Sequence, residues 1–364
     1  MKESRLHDHH ARLKATFESI TDWQVPAHYG DPLAEYRAVR HGVGMADLSH
    51  RGKLRVTGED RVKWLQSVIS NDLLSLPPGQ GRYSSLLTHK GKMLTYFRCY
   101  MQADAVMLED VGEIGDQTFT ALKKFLLYGT KAKMENCRET WGLLLVSGPK
   151  AAVTMMAAFG ADVNDLKPVR FVSATIGGQT ALIIHSEETG ESDFEVLIPI
   201  DGLVAAWERL IEAGAPHGIR PIGSQAREAL RMEAGIPKAG PDLNEEIVPP
   251  EANLEDKAFS LSKGCYPGQE VVARMDTYGT IRRHLVGLVV KGSVVPPKGA
   301  KLFSGTREVG WISSATRSPE VNGPIAFGFP LRDFSAPGTS LSIEADGARY
   351  EATVQPLPFR QSSL

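Results

Sequence analysis

The sequence predicts an α+β body of two related lobes followed by a small all-β barrel. Three observations carry this. A half-buried strand runs into Val-Thr-Gly and then a helix at Lys53–Gly58, and the same order returns at Leu143–Gly148 as strand, Val-Ser-Gly and helix. Beyond Leu285 the chain turns to short apolar stretches separated by Gly- and Pro-rich turns, the pattern of a barrel or sandwich.

Each element follows from its own periodicity. Leu54 and Val56 alternate with polar residues, as in a strand with one wet face. Val62, Leu65 and Ile69 then fall on one helical face. Leu143–Ser147 reads as a strand, and Pro149 suits the first turn of the next helix, where a missing N–H costs nothing. Ala181–Ile184 and Phe194–Ile198 are strand-like. Leu203, Trp207, Leu210 and Ile211 mark a helix that Gly214 would stop. Ser224 is a candidate cap for a further helix, on which Arg227 and Arg231 lie four apart and share a face. The barrel strands are expected at Leu285–Val290, Val309–Ile312, Ile325–Phe329, Ser340–Ile343 and Tyr350–Val354. The chain divides accordingly into 1–280 and 281–364.

Composition narrows the function. The chain has 364 residues, 41 of them basic and 43 acidic, for a net charge of −2, which lacks the footprint of a general nucleic-acid binder. At 42% hydrophobic and 23% charged it is globular. Cys99, Cys137 and Cys265 are too scattered for a disulfide framework or a paired-cysteine zinc site. No apolar run approaches the ~20 residues of a membrane span, and Met1–His10 lacks the layout of a signal peptide. The expectation is a soluble, cytoplasmic protein whose His7, His9 and His10 sit on a solvated, poorly ordered terminus.

No dinucleotide, phosphate-loop, zinc-protease or nucleophile-elbow motif is present. The informative segments are polar and glycine-containing. In Lys263–Glu270 two glycines and a proline enforce a turn that sets Cys265 beside Lys263, an ammonium that would stabilise a thiolate. A surface turn with a small buried cysteine explains the same residues. Glu188–Glu195 carries four acids in eight positions, as a solvated hairpin tip does. Yet Glu195 alternates with Phe194 and Val196, and a carboxylate there would accept two bonds from a planar N–H/NH2 edge such as a pterin's. Leu243–Glu251 reads as a linker, and Asn71 in Ser70–Asp72 as a helix terminator or a site residue.

Taken in order, Trp23–Tyr29, Ala46–Gly52, Ser70–Asp72, Ala226–Gly235, Ile247–Glu251 and Val309–Ser314 resemble the glycine-cleavage T-protein superfamily, over nearly the whole chain. That superfamily holds folate-dependent aminomethyltransferases and YgfZ-type folate-binding proteins. The resemblance implies a three-lobed ring around a channel for tetrahydrofolate, with Glu195 on the pterin edge, Arg227 near the folate, and Asn71 and Tyr83 completing the cofactor-binding set. Two departures bear on activity. The transferases' Gly-Gly-x-x-Asp-Asp is Gly91-Lys-Met-Leu-Thr-Tyr96, and their Tyr-Thr-Gly-Glu begins with Glu188. Lys263–Glu270 resembles the YgfZ signature Lys-Gly-Cys-[Phe/Tyr]-x-Gly-Gln-Glu at every fixed position. The expectation is therefore a YgfZ-type protein supporting iron–sulfur enzyme assembly or repair. Cys265 would be its functional thiol, lowered in pKa by Lys263, and an iron–sulfur client its partner. The alternative is a folate-dependent aminomethyltransferase, partnered by a lipoyl carrier protein, that draws its carboxylate from elsewhere, with Asp72 and Glu109 as candidates.

Overall fold

The structure, a computed structural model, describes residues 1–255, 257–279 and 281–360. The divide expected at residue 280 lies outside the described residues.

In the first lobe the strands Lys53–Thr57, Gly81–Leu87, Met93–Met101, Ala105–Asp110 and Lys133–Asn136 form one sheet, whose spatial order is second, third, fourth, first, fifth. The second lobe repeats that plan. Its strands Trp141–Ser147, Phe171–Ile176, Gln179–Ser186 and Asp193–Pro199 lie in the order second, third, fourth, first, extended by Gly44–Asp47 and Arg220–Pro221. In each lobe a helix, Arg61–Val68 or Ala151–Phe159, follows the first strand. Pro149 lies ahead of the second helix, not inside its first turn.

The repeated glycine has a physical cause. Gly58 and Gly148 adopt φ of +97° and +125°, a region that L side chains rarely enter. A Cβ would also stand 2.3 Å from the Lys131 carbonyl at Gly58 and 2.6 Å from those of Val39 and Gly42 at Gly148.

The C-terminal lobe is a closed barrel, ordered Val286–Val290, Gly323–Gly328, Arg307–Ser318, Lys301–Ser304, Ser340–Ala345 and Ala348–Gln355. The five expected strands are all present. Lys301–Ser304 went unread because only Leu302 and Phe303 are apolar in it. Val309–Ile312 is the middle of a longer strand that continues to Ser318.

Each lobe has its own core, for example Leu65 with Phe97, Val146 with Trp207, and Leu288 with Val354. A further core draws Tyr83 and Tyr96 from the first lobe, Leu145 and Leu182 from the second, and Phe327 and Phe329 from the barrel. Leu230, on the helix Ser224–Glu233, belongs to it too. This shared burial packs the three lobes into one unit.

The amino terminus departs from expectation. His7–Arg12 is helical and His10 is buried, its Nε2 3.1 Å from Asp47 and its Nδ1 2.8 Å from the Tyr29 hydroxyl. Asp47 is itself buried and needs partners, which Ser4, His10 and the Ser49 N–H supply.

Candidate functional site

A cleft of about 720 Å³ opens where the lobes meet, within the range of small-molecule sites. The helix Ser224–Glu233 forms one wall. Its predicted arginine face is real, since Arg227 and Arg231 both line the cleft. Ser224 is not the cap: Gly223 precedes the first turn, and the Ser224 hydroxyl bonds Glu18 instead. Arg227 donates to Glu113 Oε1 at 3.0 Å, and Lys238 reaches Glu113 Oε2 at 3.3 Å and Glu228 at 2.9 Å. Leu33, Tyr36 and Leu145 supply apolar lining, and Thr316–Ser318 closes the barrel side.

Arg51 and Glu188 also line the cleft, joined as a two-pronged pair at 3.0 and 2.8 Å. Behind them lies a buried cluster. Arg98, with no exposed surface, reaches Glu109 at 2.8 Å, Glu188 at 3.1 Å and Glu195 at 2.8 Å. Burial alone would raise the Glu188 carboxyl, but Arg51 and Arg98 outweigh it and hold it below the usual range. Glu195 goes the other way: burial, with Glu109 and Glu188 nearby, pushes it up against the pull of Arg98. Three carboxylates thus share two guanidinium groups, which hold Glu188 towards its ionised form while burial pushes Glu195 the other way.

The acidic stretch Glu188–Glu195 is therefore no solvated tip. Glu188, Glu191 and Glu195 are buried, and each meets a cation: Arg51, Arg40 with Arg360, and Arg98.

Of the site residues read from the sequence, Arg227 lines the cleft and Glu195 lies one layer behind it. Asn71 is spent on the fold, its side-chain NH2 donating to the carbonyls of Tyr83 and Lys257. Tyr83 stacks on Tyr96 at 5.5 Å, with the Lys257 ammonium over its ring. Lys263 turns inward to the carbonyls of Gln66, Ile69 and Asn71, at and beyond the end of the helix Arg61–Val68, with the Tyr266 ring beneath it. Burial lowers its pKa to about 8. Cys265 is exposed, and the ammonium expected to serve its thiol is committed to those carbonyls. Glu270 pairs with Arg274 on the exposed side of the helix Gln269–Tyr278. Asp72 is held by Gln66 and Ser75, away from the cleft.

Sequence reasoning missed Arg51, Arg98, Glu113 and Lys238 and could not place Glu109. A signal existed for one pair. Arg98 interrupts the apolar run Tyr96–Tyr100, Glu109 ends another, and the two are cross-strand partners.

The GCVT N-terminal domain model matches residues 6–260, and the glycine cleavage T-protein C-terminal barrel domain model matches 283–360. The chain belongs to the glycine cleavage T-protein family. The aminomethyltransferase of Chloroherpeton thalassium is 31% identical over 363 residues, 99% of each chain. That of Chlorobium chlorochromatii is 30% identical over 362 residues, 99% of this chain and 98% of its own. The crystal structure of glycine cleavage system aminomethyltransferase T from Bartonella henselae superposes with a TM-score of 0.90 at 26% identity, covering 99% of this chain and 98% of that one.

These likenesses overturn the expectation of a YgfZ-type iron–sulfur maintenance protein. That reading weighed one octapeptide above the rest of the chain, whereas aminomethyltransferases match along all three lobes. The octapeptide also has a structural role here, through Lys263 and the buried Tyr266. Among the described residues no group of three His, Cys, Asp or Glu is placed to hold a metal, and no helix is long and apolar enough to cross a membrane.

Proposed function

We propose that this protein transfers a one-carbon unit from an aminomethyl or related donor to tetrahydrofolate, in the manner of an aminomethyltransferase. The observation that carries the reading is the whole-length likeness to aminomethyltransferases, which takes in every lobe bordering the cleft. Tetrahydrofolate, when bound, would supply the nitrogen acceptors for the one-carbon unit.

The residues present fit such a ligand. Glu195 Oε2, Arg98 Nη1, Arg51 Nε and the Tyr100 hydroxyl are buried without partners, so the cluster beneath the cleft has both donors and acceptors to spare. Arg227 and Lys238 would meet an anionic tail, and the Leu33, Tyr36 and Leu145 lining would exclude water from the aromatic part. A lipoyl carrier protein is the partner this chemistry calls for.

The chain must work without the transferases' aspartate. Thr95 and Tyr96 stand in its place, both buried, and a hydroxyl supplies neither the charge nor the basicity of a carboxylate. Of the cleft carboxylates, Glu113, Glu188 and Glu228 are ion-paired, so their work is to bind and orient, while Glu18 accepts from the Ser224 hydroxyl. Titration of the protein with 5-formyltetrahydrofolate tests the ligand. Saturable binding that weakens in Arg227→Ala supports the reading, and no binding contradicts it.

A further inference from the structure

We propose that the turn at Leu127–Thr130 docks this protein on a membrane surface rich in anionic lipid headgroups. Leu127 and Tyr128 enter the headgroup boundary, and the lysines around them meet the lipid phosphates and carboxylates. The turn stands apart from the cleft, and the folate reading neither supports nor needs it.

Leu127 and Tyr128 are neighbours, and at 72% and 108% they are the most exposed large apolar side chains among the described residues. Apolar residues scattered singly are ordinary on a surface; an adjacent pair at the tip of a turn asks for a partner. The core does not need them. Leu122 is buried in the core of the first lobe, and Phe119, Phe125 and Leu126 pack against it.

The tip is also held firmly. The Thr130 N–H donates to the Leu127 carbonyl at 3.2 Å, and Gly129 takes the φ of +87° that a tight turn requires. On one side the Trp64 ring N–H donates to the Phe125 carbonyl at 3.0 Å. On the other the Lys131 N–H donates to Asp60 Oδ2 at 2.8 Å. A turn fixed on both sides has little backbone left to order on docking.

Charge selects the partner. From Gln117 to Met134 the chain holds Lys123, Lys124, Lys131 and Lys133 and no Asp or Glu, although the whole sequence balances 41 basic against 43 acidic residues. All four lysines are exposed. Lys131 pairs with Glu59 at 3.0 Å, and Lys123 lies over the Phe119 ring. Lys124 and Lys133 have no ion-pair partner among the described residues. Two cations precede the apolar tip and two follow it, the combination that holds Leu and Tyr side chains at an anionic bilayer boundary. A protruding tip suits a yielding lipid surface, whereas a protein partner would have to supply an acid-rimmed pocket shaped to it.

Docking here leaves the cleft free. Arg51, which lines the cleft, lies just ahead of the strand Lys53–Thr57, and Lys133 pairs with Thr57 at the far end of that strand.

The test is co-sedimentation of the full chain with vesicles of phosphatidylcholine plus phosphatidylserine, and with vesicles of phosphatidylcholine alone. Wild type is expected on the mixed vesicles and not on the neutral ones, with binding that weakens as salt is raised. Leu127→Ser with Tyr128→Ser should lower the partition coefficient about tenfold or more, as two apolar side chains lose their burial. Lys124→Gln with Lys133→Gln should lower it about twentyfold, at roughly fivefold per lysine near the surface. All four side chains lie outside the core, and unchanged melting temperatures confirm that each variant is folded. No binding to the mixed vesicles overturns the proposal and leaves the tip to a protein partner. Binding that survives loss of Leu127 and Tyr128, or that is equal on neutral vesicles, overturns it too.

Discussion

Arg98 Nη2 lies 2.8 Å from Glu195 Oε1, and neither side chain has any surface exposed to solvent. The same guanidinium reaches Glu109 and Glu188. One arginine from the first lobe therefore binds two carboxylates of the second directly beneath the cleft, which couples the stability of the interface to the floor of the site.

Removing that arginine strands buried negative charge. Arg98→Met is expected to cost about 3–5 kcal/mol, read from urea unfolding, as when one partner of a buried pair is lost. Adding Glu109→Gln, which removes the other carboxylate bound by Arg98 in its own lobe, should recover part of the loss. Equal stability of the single and double variants would contradict the coupling.

The protonated state of Glu195 gives a pH signature. Its folded pKa stands above its ordinary value, so the folded state binds the extra proton. The stability this contributes is complete below pH 4.5 and is lost as pH rises from there to about 8. Wild type minus Glu195→Gln should therefore fall with a slope of up to ~1.4 kcal/mol per pH unit inside that window. A flat difference would mean that Glu195 is ionised in the folded protein.

Gly58→Ala and Gly148→Ala should each destabilise by more than the ~1 kcal/mol of an ordinary glycine replacement, because a positive φ and a backbone contact oppose the new Cβ together. Thermal unfolding of the two variants is the check. Matching losses would follow from their matching places at the start of each repeat.

Why the elements were easier to read than the site follows from the same residues. Alternation in Lys53–Thr57 and helical spacing in Leu203–Gly214 reflect local burial, which one segment records by itself. The arginine face of Ser224–Glu233 was legible for that reason. The charged floor was not, since Arg51, Arg98 and the stretch holding Glu188 and Glu195 come from three separate segments and meet only when the lobes pack. Glu195 showed the general difficulty: alternation set it apart from Phe194 and Val196, but both faces of its strand are buried and the cation beside it lies far away in sequence. Lys263 misled in the opposite direction. Two positions from Cys265, it turns to the carbonyls at and beyond the end of another helix.

In the cleft, Arg227→Ala should raise the dissociation constant for 5-formyltetrahydrofolate by about tenfold, the loss expected for one charge-assisted contact. The melting temperature should change little, because Lys238 and His50 still face Glu113. Unchanged affinity would place the anionic tail elsewhere.

The most direct measurement is turnover. Purified protein, tetrahydrofolate and an aminomethyl-loaded lipoyl carrier protein are followed for ammonia release. The account predicts release that depends on both tetrahydrofolate and Arg227, at a rate about 10²–10⁴ below that of an enzyme holding the aspartate, the usual worth of one acid–base group. No release above the protein-free blank, from protein that demonstrably binds the folate, would contradict transfer from this donor.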